Sequence, residues 1–384
     1  MKILYTLNSS TPGGMEQHVL YLVKGMISRG HDVHVWCKKG EIENWFKEAG
    51  AVVTTTEIKY DIDPLYISSL AHYLYDYNID VCHAHELKAA VNSLLAANKV
   101  KTKVRITHTH TPISEWPSNN IKQKFVRALE TKVYSYFVNK YATCEIALTK
   151  SRLQTKIHEG IKSDKLRVIS NCFNDKAFNV DSDTKTRYRT EIRAKFGIPE
   201  DALVFGNVSR LSEEKNHKLL IEAFADAQFS QNKKAYLLIA GGGKLEKPLR
   251  DLVASKASKD NIVITGIFPQ NELAKYYFAS DVFIFPSKAE GFGLVLIEAL
   301  GAGLPVIASD IEVLKEVAGN TADYFSLGAK ESLTKMINGY IKYFDTHTNV
   351  PVNTAGIDLV NKLYTEEIFI TAYEDLYKRN LEKL

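Results

Sequence analysis

The sequence predicts an α/β protein of two doubly wound parallel-sheet domains facing a central cleft. Two observations carry that prediction. Short β-rich runs alternate with longer amphipathic stretches, the pattern of parallel strands joined by crossover helices. The alternation also occurs twice, with a polar, strand-poor stretch between the two series.

The first series of strand-like runs is KILYTL (2–7), DVHVWC (32–37), AVVTTT (51–56), DVCHAH (80–85), KVRITH (103–108) and CEIALT (144–149). Helix-like stretches fill the gaps. In GMEQHVLYLVKGMISRG (14–30), Val19, Leu22, Val23 and Met26 recur at helical spacing. The second series is LVFGNVS (203–209), AYLLIAG (235–241), NIVITG (261–266), DVFIFP (281–286) and LPVIAS (304–309). Continuous apolar strands such as YLLIA suit a sheet covered on both faces. The stretch 171–200 is charged and poor in strand signals. The expected organisation is therefore a first domain over 1–170, a linker and domain entry over 171–200, and a second domain over 201–355. A C-terminal helix over 356–384 is expected to pack back on the first domain.

The remaining gross features exclude several classes. A chain of 384 residues with 45% hydrophobic and 24% charged residues is soluble and globular in composition, with a mean hydropathy of −0.18. Its four cysteines are scattered and form no CxxC pair, which argues against a disulfide framework or a cysteine zinc site and for reduced thiols in a cytosolic protein. The N-terminus reads as a first strand, its apolar run being too short for a signal peptide. Residues 291–308 are long enough to span a bilayer, but they carry Glu298, four glycines and Pro305. A central carboxylate is expensive in lipid, so a buried helix followed by a buried strand is the better reading. Residues 1–170 hold 23 Lys+Arg against 16 Asp+Glu, leaving +7 there and −3 in the rest of a chain of net charge +4. A basic front half favours an anionic surface or partner.

Four constellations can carry chemistry, each falling where a predicted strand gives way to a loop. In DVFIFPSKAEGFGLVLIEALGAG (281–303), a strand leads through a glycine loop into a helix. Gly291 and Gly293 allow backbone amides to approach a ligand, and the helix start favours an anion. Glu290 lies in the loop and Glu298 on the helix, so the two carboxylates can address separate hydroxyl sets on one extended ligand. Read without a ligand, they are a dipole partner and a surface glutamate. In GNVSRLSEEKNHKLLIEAF (206–224), Arg210 and Lys215 occupy the loop and could neutralise a diphosphate, Glu213 and Glu214 lying beside them. In NSSTPGGMEQHV (8–19), Gly13–Gly14 opens a helix, but the stretch is not GxGxxG, which argues against a dinucleotide site.

The fourth constellation is histidine: HAHE (83–86) and THTHTP (107–112). Two alternating histidines on a strand share a face, so zinc has to be weighed. No HExxH or paired cysteine supports it, and contact with a sugar or phosphate is the better use; packed structural roles stay open for His83, His85 and His108. Separately, IKQKFVRALETKVYSYFVNKY (121–141) mixes Lys122, Lys124, Arg127, Lys132 and Lys140 with apolar residues. It reads as a basic amphipathic helix, either solvated or lying on an anionic membrane.

Taken together, GGMEQHVLYLVKGMISRGHDVHV, EGFGLVLIEALGAGLPVIASDIEVLKEV and the ordered motifs between them resemble family 4 (group 1) of the glycosyltransferases, with the GT-B fold of two Rossmann-like domains. The resemblance covers nearly the whole chain. It implies a retaining, metal-independent enzyme without a cofactor, moving a sugar from a UDP- or GDP-linked donor to a saccharide or lipid-linked hydroxyl acceptor in cell-surface polysaccharide or glycolipid synthesis. It implies roles for Glu290 on sugar hydroxyls, Glu298 on the nucleotide ribose, and Arg210 and Lys215 on the diphosphate. Amides of Phe292, Gly293 and Leu294, beside Gly291, would bind sugar or phosphate. Gly14 would approach the diphosphate, and His110, with His108 as its neighbour, would stand near the donor sugar. No metal and no nucleic acid are expected, and localisation is cytoplasmic, peripheral on the membrane's cytoplasmic face. Cys172 departs from the glycine usual in the family after the asparagine. A phosphorylase or epimerase on a similar scaffold, and a non-catalytic sugar-nucleotide binder, are the alternatives.

Overall fold

The computed structural model describes residues 1–116, 120–229, 234–347 and 349–382. It divides into two compact units: Met1–Cys172 with the C-terminal segment from Glu366, and Phe173–Thr365.

The first unit holds seven strands: β1 (Lys2–Thr6), β2 (Asp32–Cys37), β3 (Val52–Thr55), β4 (Val81–His85), β5 (Val104–His108), β6 (Cys144–Ala147) and β7 (Leu166–Val168). They pair in the order β3-β2-β1-β4-β5-β6-β7, each pair parallel. Its first strand lies inside the sheet, third of seven, and the chain reverses direction across the sheet between β1 and β4. That reversal is the topological switch point, where doubly wound sheets bind ligands beyond the strand carboxyl ends.

Helix Glu366–Glu382 closes this unit against helix Gly14–Ser28. Gly25 makes the approach possible: a Cβ there would stand 2.3 Å from Ile370 Cδ1. Phe369, Ile370, Tyr373 and Tyr377 join the core beneath β1, and each such burial contributes roughly 1.5–3 kcal/mol before ordering costs. Arg29 pairs with Glu374 at 2.8 Å on the rim of the contact.

The second unit holds β8 (Leu203–Val208), β9 (Ala235–Ala240), β10 (Ile262–Ile264), β11 (Val282–Phe285), β12 (Val306–Ser309) and β13 (Asp323–Phe325). Their order is β10-β9-β8-β11-β12-β13, again all parallel, with the switch point between β8 and β11. Both units are thus doubly wound parallel sheets.

Two expectations about organisation need correction. The polar stretch 171–200 is not a separate linker. Its helix Ser182–Lys195 packs on helix Leu273–Phe278 of the second unit. Arg193, with no exposed surface, donates to the carbonyls of Ala279, Glu200 and Ala202 and pairs with Asp281 at 2.8 Å. Charge that looked solvated is spent satisfying buried backbone acceptors. Likewise, 356–384 is not one element. Helix Thr354–Leu363 packs on helix Leu294–Gly301, where Gly356 lies against Leu300, and only the segment from Glu366 belongs to the first unit. Residues 383–384 of that expected helix lie outside the described residues. Among the described residues, no helix is long and apolar enough to cross a membrane.

Candidate active site

In the second unit the loops after β8, β9 and β11 converge at the switch point. The first and second are pressed backbone to backbone. A Cβ on Gly241 would meet Ser209 O at 2.1 Å, and one on Gly243 would meet Leu211 O at 2.5 Å, with φ +140° and +157°. The first and third are tied by the Lys288 amide, which donates to Glu214 O at 2.7 Å. Beneath them, His217 Nε2 lies 2.8 Å from Ser209 Oγ and 3.2 Å from Asn207 Oδ1. Asn207 Nδ2 in turn donates to Ile284 O of β11 at 2.8 Å. Burial, with Lys215 nearby, lowers His217 to about 4, so it holds the loop as a neutral ring.

This framework brings Lys215 and Glu290 together, 75 residues apart in sequence. Lys215 Nζ donates to Glu290 Oε1 at 2.5 Å and lies 5.6 Å from the Phe285 ring centroid. Both side chains are largely buried. Arg210 stands differently: it is 74% exposed and donates to Glu214 Oε1 at 3.2 Å. Burial opposes ionisation of Glu214, but hydrogen bonds from Ser212 and Arg210 outweigh it and hold the carboxyl below its usual range. Arg210 therefore shares the loop of Lys215 without joining the pair.

Gly291 and Phe292 continue from Glu290, and Phe292 is buried with its ring edge on Tyr364. Gly293 caps helix Leu294–Gly301 in the left-handed region at φ +92°. The helix's first amides, beginning with Leu294, have no partner within the helix and point out of its start. Leu296, Ile297, Ala299 and Leu300 bury its apolar face. Glu298 lies between, partly buried, and accepts from Tyr277 Oη at 2.6 Å. Burial raises its carboxyl to about 7, against the lowering effect of the Tyr277 bond. Glu290 lies in the loop and Glu298 on the helix, and their environments differ: Glu290 is ion-paired and Glu298 is held by a neutral phenol.

In the first unit, Gly13 caps helix Gly14–Ser28, placing Gly14 at its first position beyond β1. His110 lies two residues past β5 and stacks on His108 with centroids 3.9 Å apart. Its Nε2 is 3.2 Å from His85 Nδ1. Beneath the strand end, Glu145 is fully buried and bonded by Lys156 Nζ, Thr107, Thr109 and Tyr134. This network fixes the turn that carries both histidines.

Sequence reasoning missed His18, Asn171, Tyr277 and the Glu145–Lys156 pair. His18 Nδ1 lies 2.6 Å from Asn171 Oδ1, and its ring meets those of His85, His108 and His110 edge-on. The signal was available in part. His18 lies on the inward face of the first helix, four residues after Gly14, and adjacent parallel strands with HAH and HTH put their histidines in register.

The two doubly wound units have the GT-B architecture, and similarity to known families makes the class that of the glycosyltransferases. Solved structures carry the same fold. Anabaena HepE in complex with UDP superposes with a TM-score of 0.83 over 99% of this chain and 100% of its own, at 20% identity. WaaG, a glycosyltransferase involved in lipopolysaccharide biosynthesis, superposes with a TM-score of 0.73 over 95% and 97%, at 16% identity. The chain belongs to the group 1 glycosyltransferases: the family described as glycosyl transferases group 1 matches residues 188–343, and glycosyltransferase family 4 matches 12–176. Among similar curated proteins, the alpha-monoglucosyldiacylglycerol synthase of Acholeplasma laidlawii is 25% identical over 97% of this chain and 96% of its own. The O-antigen biosynthesis glycosyltransferase WclY of Escherichia coli is 23% identical over 98% of each.

Proposed function

We propose that the chain is a retaining glycosyltransferase that moves a sugar from a UDP- or GDP-linked donor to a hydroxyl of a saccharide or lipid-linked acceptor, in glycolipid or cell-surface polysaccharide synthesis. The observation that carries this reading is the Lys215–Glu290 pair at the β8–β11 switch point. It puts a diphosphate-binding cation next to a carboxylate suited to sugar hydroxyls. The relatives support the acceptor class, one being a glycolipid synthase and another an O-antigen enzyme. HepE's complexes with UDP and with UDP-glucose support the donor class.

The chemistry follows from where charge develops. Breaking the bond from the anomeric carbon to the diphosphate leaves the electron pair on the diphosphate oxygen. Lys215, Arg210 and the amides of Gly293 and Leu294 stabilise that charge, the largest single catalytic effect available to such a site. Glu290 orients the sugar by accepting from its hydroxyls, with Gly291 and Phe292 shaping the loop, and Glu298 accepts from the ribose. The acceptor hydroxyl attacks from the face of departure, and its proton passes to an oxygen of the leaving diphosphate. This scheme needs no strong base. Gly14 and His110, on the first unit, keep the roles the resemblance implies, Gly14 toward the diphosphate and His110 toward the donor sugar.

We also assign helix Ile121–Tyr141 to the cytoplasmic face of an anionic membrane. Ile121, Phe125 and Leu129 recur every four residues and are 86%, 73% and 55% exposed, while Lys122, Lys124 and Lys132 stand exposed among them. Its buried residues, Thr131, Tyr134, Ser135 and Val138, all lie in the C-terminal half. Exposed apolar rows flanked by cations match the interface of an anionic bilayer.

The test is sugar transfer, or slow donor hydrolysis, across a panel of UDP- and GDP-sugars. Turnover on one donor with the product's anomeric configuration preserved supports the reading. Tight nucleotide binding with no turnover, or phosphate-dependent turnover without nucleotide, contradicts it. Charge reversal at Lys122 and Lys124 should release the protein from anionic vesicles; sedimentation unchanged by it removes the membrane assignment.

A further inference from the structure

The first unit gathers histidines from three elements into one place: His18 on helix Gly14–Ser28, His85 on β4, His108 at the end of β5, and His110 two residues beyond. Each offers a ring nitrogen, and those four atoms all lie within 4.8 Å of one another. His85 and His108 have no exposed surface, yet His85 Nε2 and both nitrogens of His108 are without a hydrogen-bond partner. Buried polar atoms left unbonded are costly, and whichever ring nitrogen His108 turns toward this cluster is unbonded, which calls for a ligand.

We propose that His18, His85, His108 and His110 bind one late first-row divalent cation, with Zn²⁺ the reference. The donor set selects the metal: four imidazole nitrogens and no carboxylate suit Zn²⁺, Ni²⁺ or Cu²⁺ and disfavour Mg²⁺ or Ca²⁺. Tetrahedral zinc with nitrogens at ~2.0–2.1 Å sets them about 3.3 Å apart. His85 Nδ1 and His110 Nε2 already stand at 3.2 Å, and the wider pairs need to draw in by about 1.5 Å or less. Neutral imidazole is the ligating form of histidine. An outer support exists as well. With the His18 proton on Nδ1 and donated to Asn171 Oδ1 at 2.6 Å, Nε2 carries the lone pair, which would turn from Tyr373 Oη, 3.4 Å away, to the cation. The nearby Lys156 is paired with Glu145, which offsets its repulsion of a cation. A site here departs from the sequence expectation of no metal. Its consequence rests on the transferase reading above: a cation holding His110 withdraws that ring from the donor sugar, so Zn²⁺ inhibits transfer.

Metal binding is measured on tag-free, full-length, chelator-treated protein by Zn²⁺ competition with a chromogenic chelator, and by the visible spectrum of added Co²⁺. The expected result is one equivalent bound, a four- or five-coordinate Co²⁺ spectrum, and a Tm raised by Zn²⁺ and restored by EDTA. His85→Asn and His108→Asn should each lower affinity at least about tenfold, and Asn171→Ala by about 10–100-fold with Asn171→Asp restoring it. His72→Asn and His347→Asn, on exposed histidines elsewhere, should change nothing. If the histidine variants do not fold, the wild-type titration and the Asn171 pair decide. Less than one equivalent in the wild type, an octahedral Co²⁺ spectrum, or affinity indifferent to these substitutions overturns the site. Binding is read without nucleotide sugar, so its failure and a failure of the transferase reading are separate results.

Discussion

Lys215 Nζ and Glu290 Oε1 stand 2.5 Å apart, joining the loop after β8 to the loop after β11. The pair couples the two ends of the proposed donor site, because the cation assigned to phosphate also fixes the carboxylate assigned to sugar. Lys215→Ala and Glu290→Gln should therefore be non-additive. In a double-mutant cycle on kcat/KM, each single substitution is expected to cost about 10²–10³-fold, with a coupling of about 0.5–3 kcal/mol between them. Additive losses would show that the two groups act apart.

Glu298 should impose a pH dependence on nucleotide binding. Its carboxyl is held at about 7, so the ionised acceptor for ribose hydroxyls forms only as pH rises through that value. Affinity for a nucleoside diphosphate is expected to increase from pH 6 to pH 8. Glu298→Gln should flatten the profile and weaken binding at pH 8 by about tenfold or more. Tyr277→Phe removes the bond that lowers this pKa, so it should shift the midpoint upward. Calorimetric titrations at stepped pH check all three.

The same group sets a stability trend of opposite sign. Its pKa is raised on folding from 4.5 to about 7. The folded chain thus binds more protons than the unfolded chain between those values, and stability falls as pH rises through the window. Glu298→Gln is expected to raise stability at pH 8 by on the order of 1–3 kcal/mol and to lose that advantage toward pH 5. Thermal melts of both proteins at pH 5 and 8 measure it.

Breaking the buried Glu145–Lys156 pair should be severe. Lys156→Met leaves a fully buried carboxylate with only neutral donors, and the expected loss is about 3–5 kcal/mol. Replacing both, as Glu145→Gln with Lys156→Met, should recover part of it. Urea unfolding gives the comparison, with equal loss in the single and double variants as the contrary result.

Gly293 carries a backbone demand that no side chain meets. At φ +92°, an alanine Cβ would lie 2.9 Å from Leu314 Cδ2 and 3.2 Å from Phe285 Cε1. Gly293→Ala should cost about 1–3 kcal/mol of stability and lower kcat through the displaced amides. Unfolding and turnover measured on one preparation separate the two effects.

The strand–helix alternation was readable because strands such as β9 and β11 are continuous apolar runs, and β8, β9 and β11 lie within the runs expected for them. β7 and β13 escaped because their three-residue runs LRV and DYF each carry a charged residue, whereas the equally short β10, IVI, is apolar throughout. The 171–200 stretch misled because Arg193 is buried by backbone carbonyls, which composition cannot register. At the site, the glycine loop and its two glutamates were legible because motif and local structure coincide. The Lys215–Glu290 contact was not, since it depends on β8 and β11 being neighbours. The histidine cluster was half visible, as two alternating pairs, and its assembly required β4 and β5 in register with a helix bearing His18.

The most direct test of the account is turnover of a nucleotide sugar by the wild type and by Lys215→Ala and Arg210→Ala, each checked for folding. The account predicts transfer or hydrolysis by the wild type and a fall in kcat of about 10²–10³-fold for Lys215→Ala, with a smaller fall for the exposed Arg210. An active enzyme whose kcat is unchanged by both substitutions would contradict it.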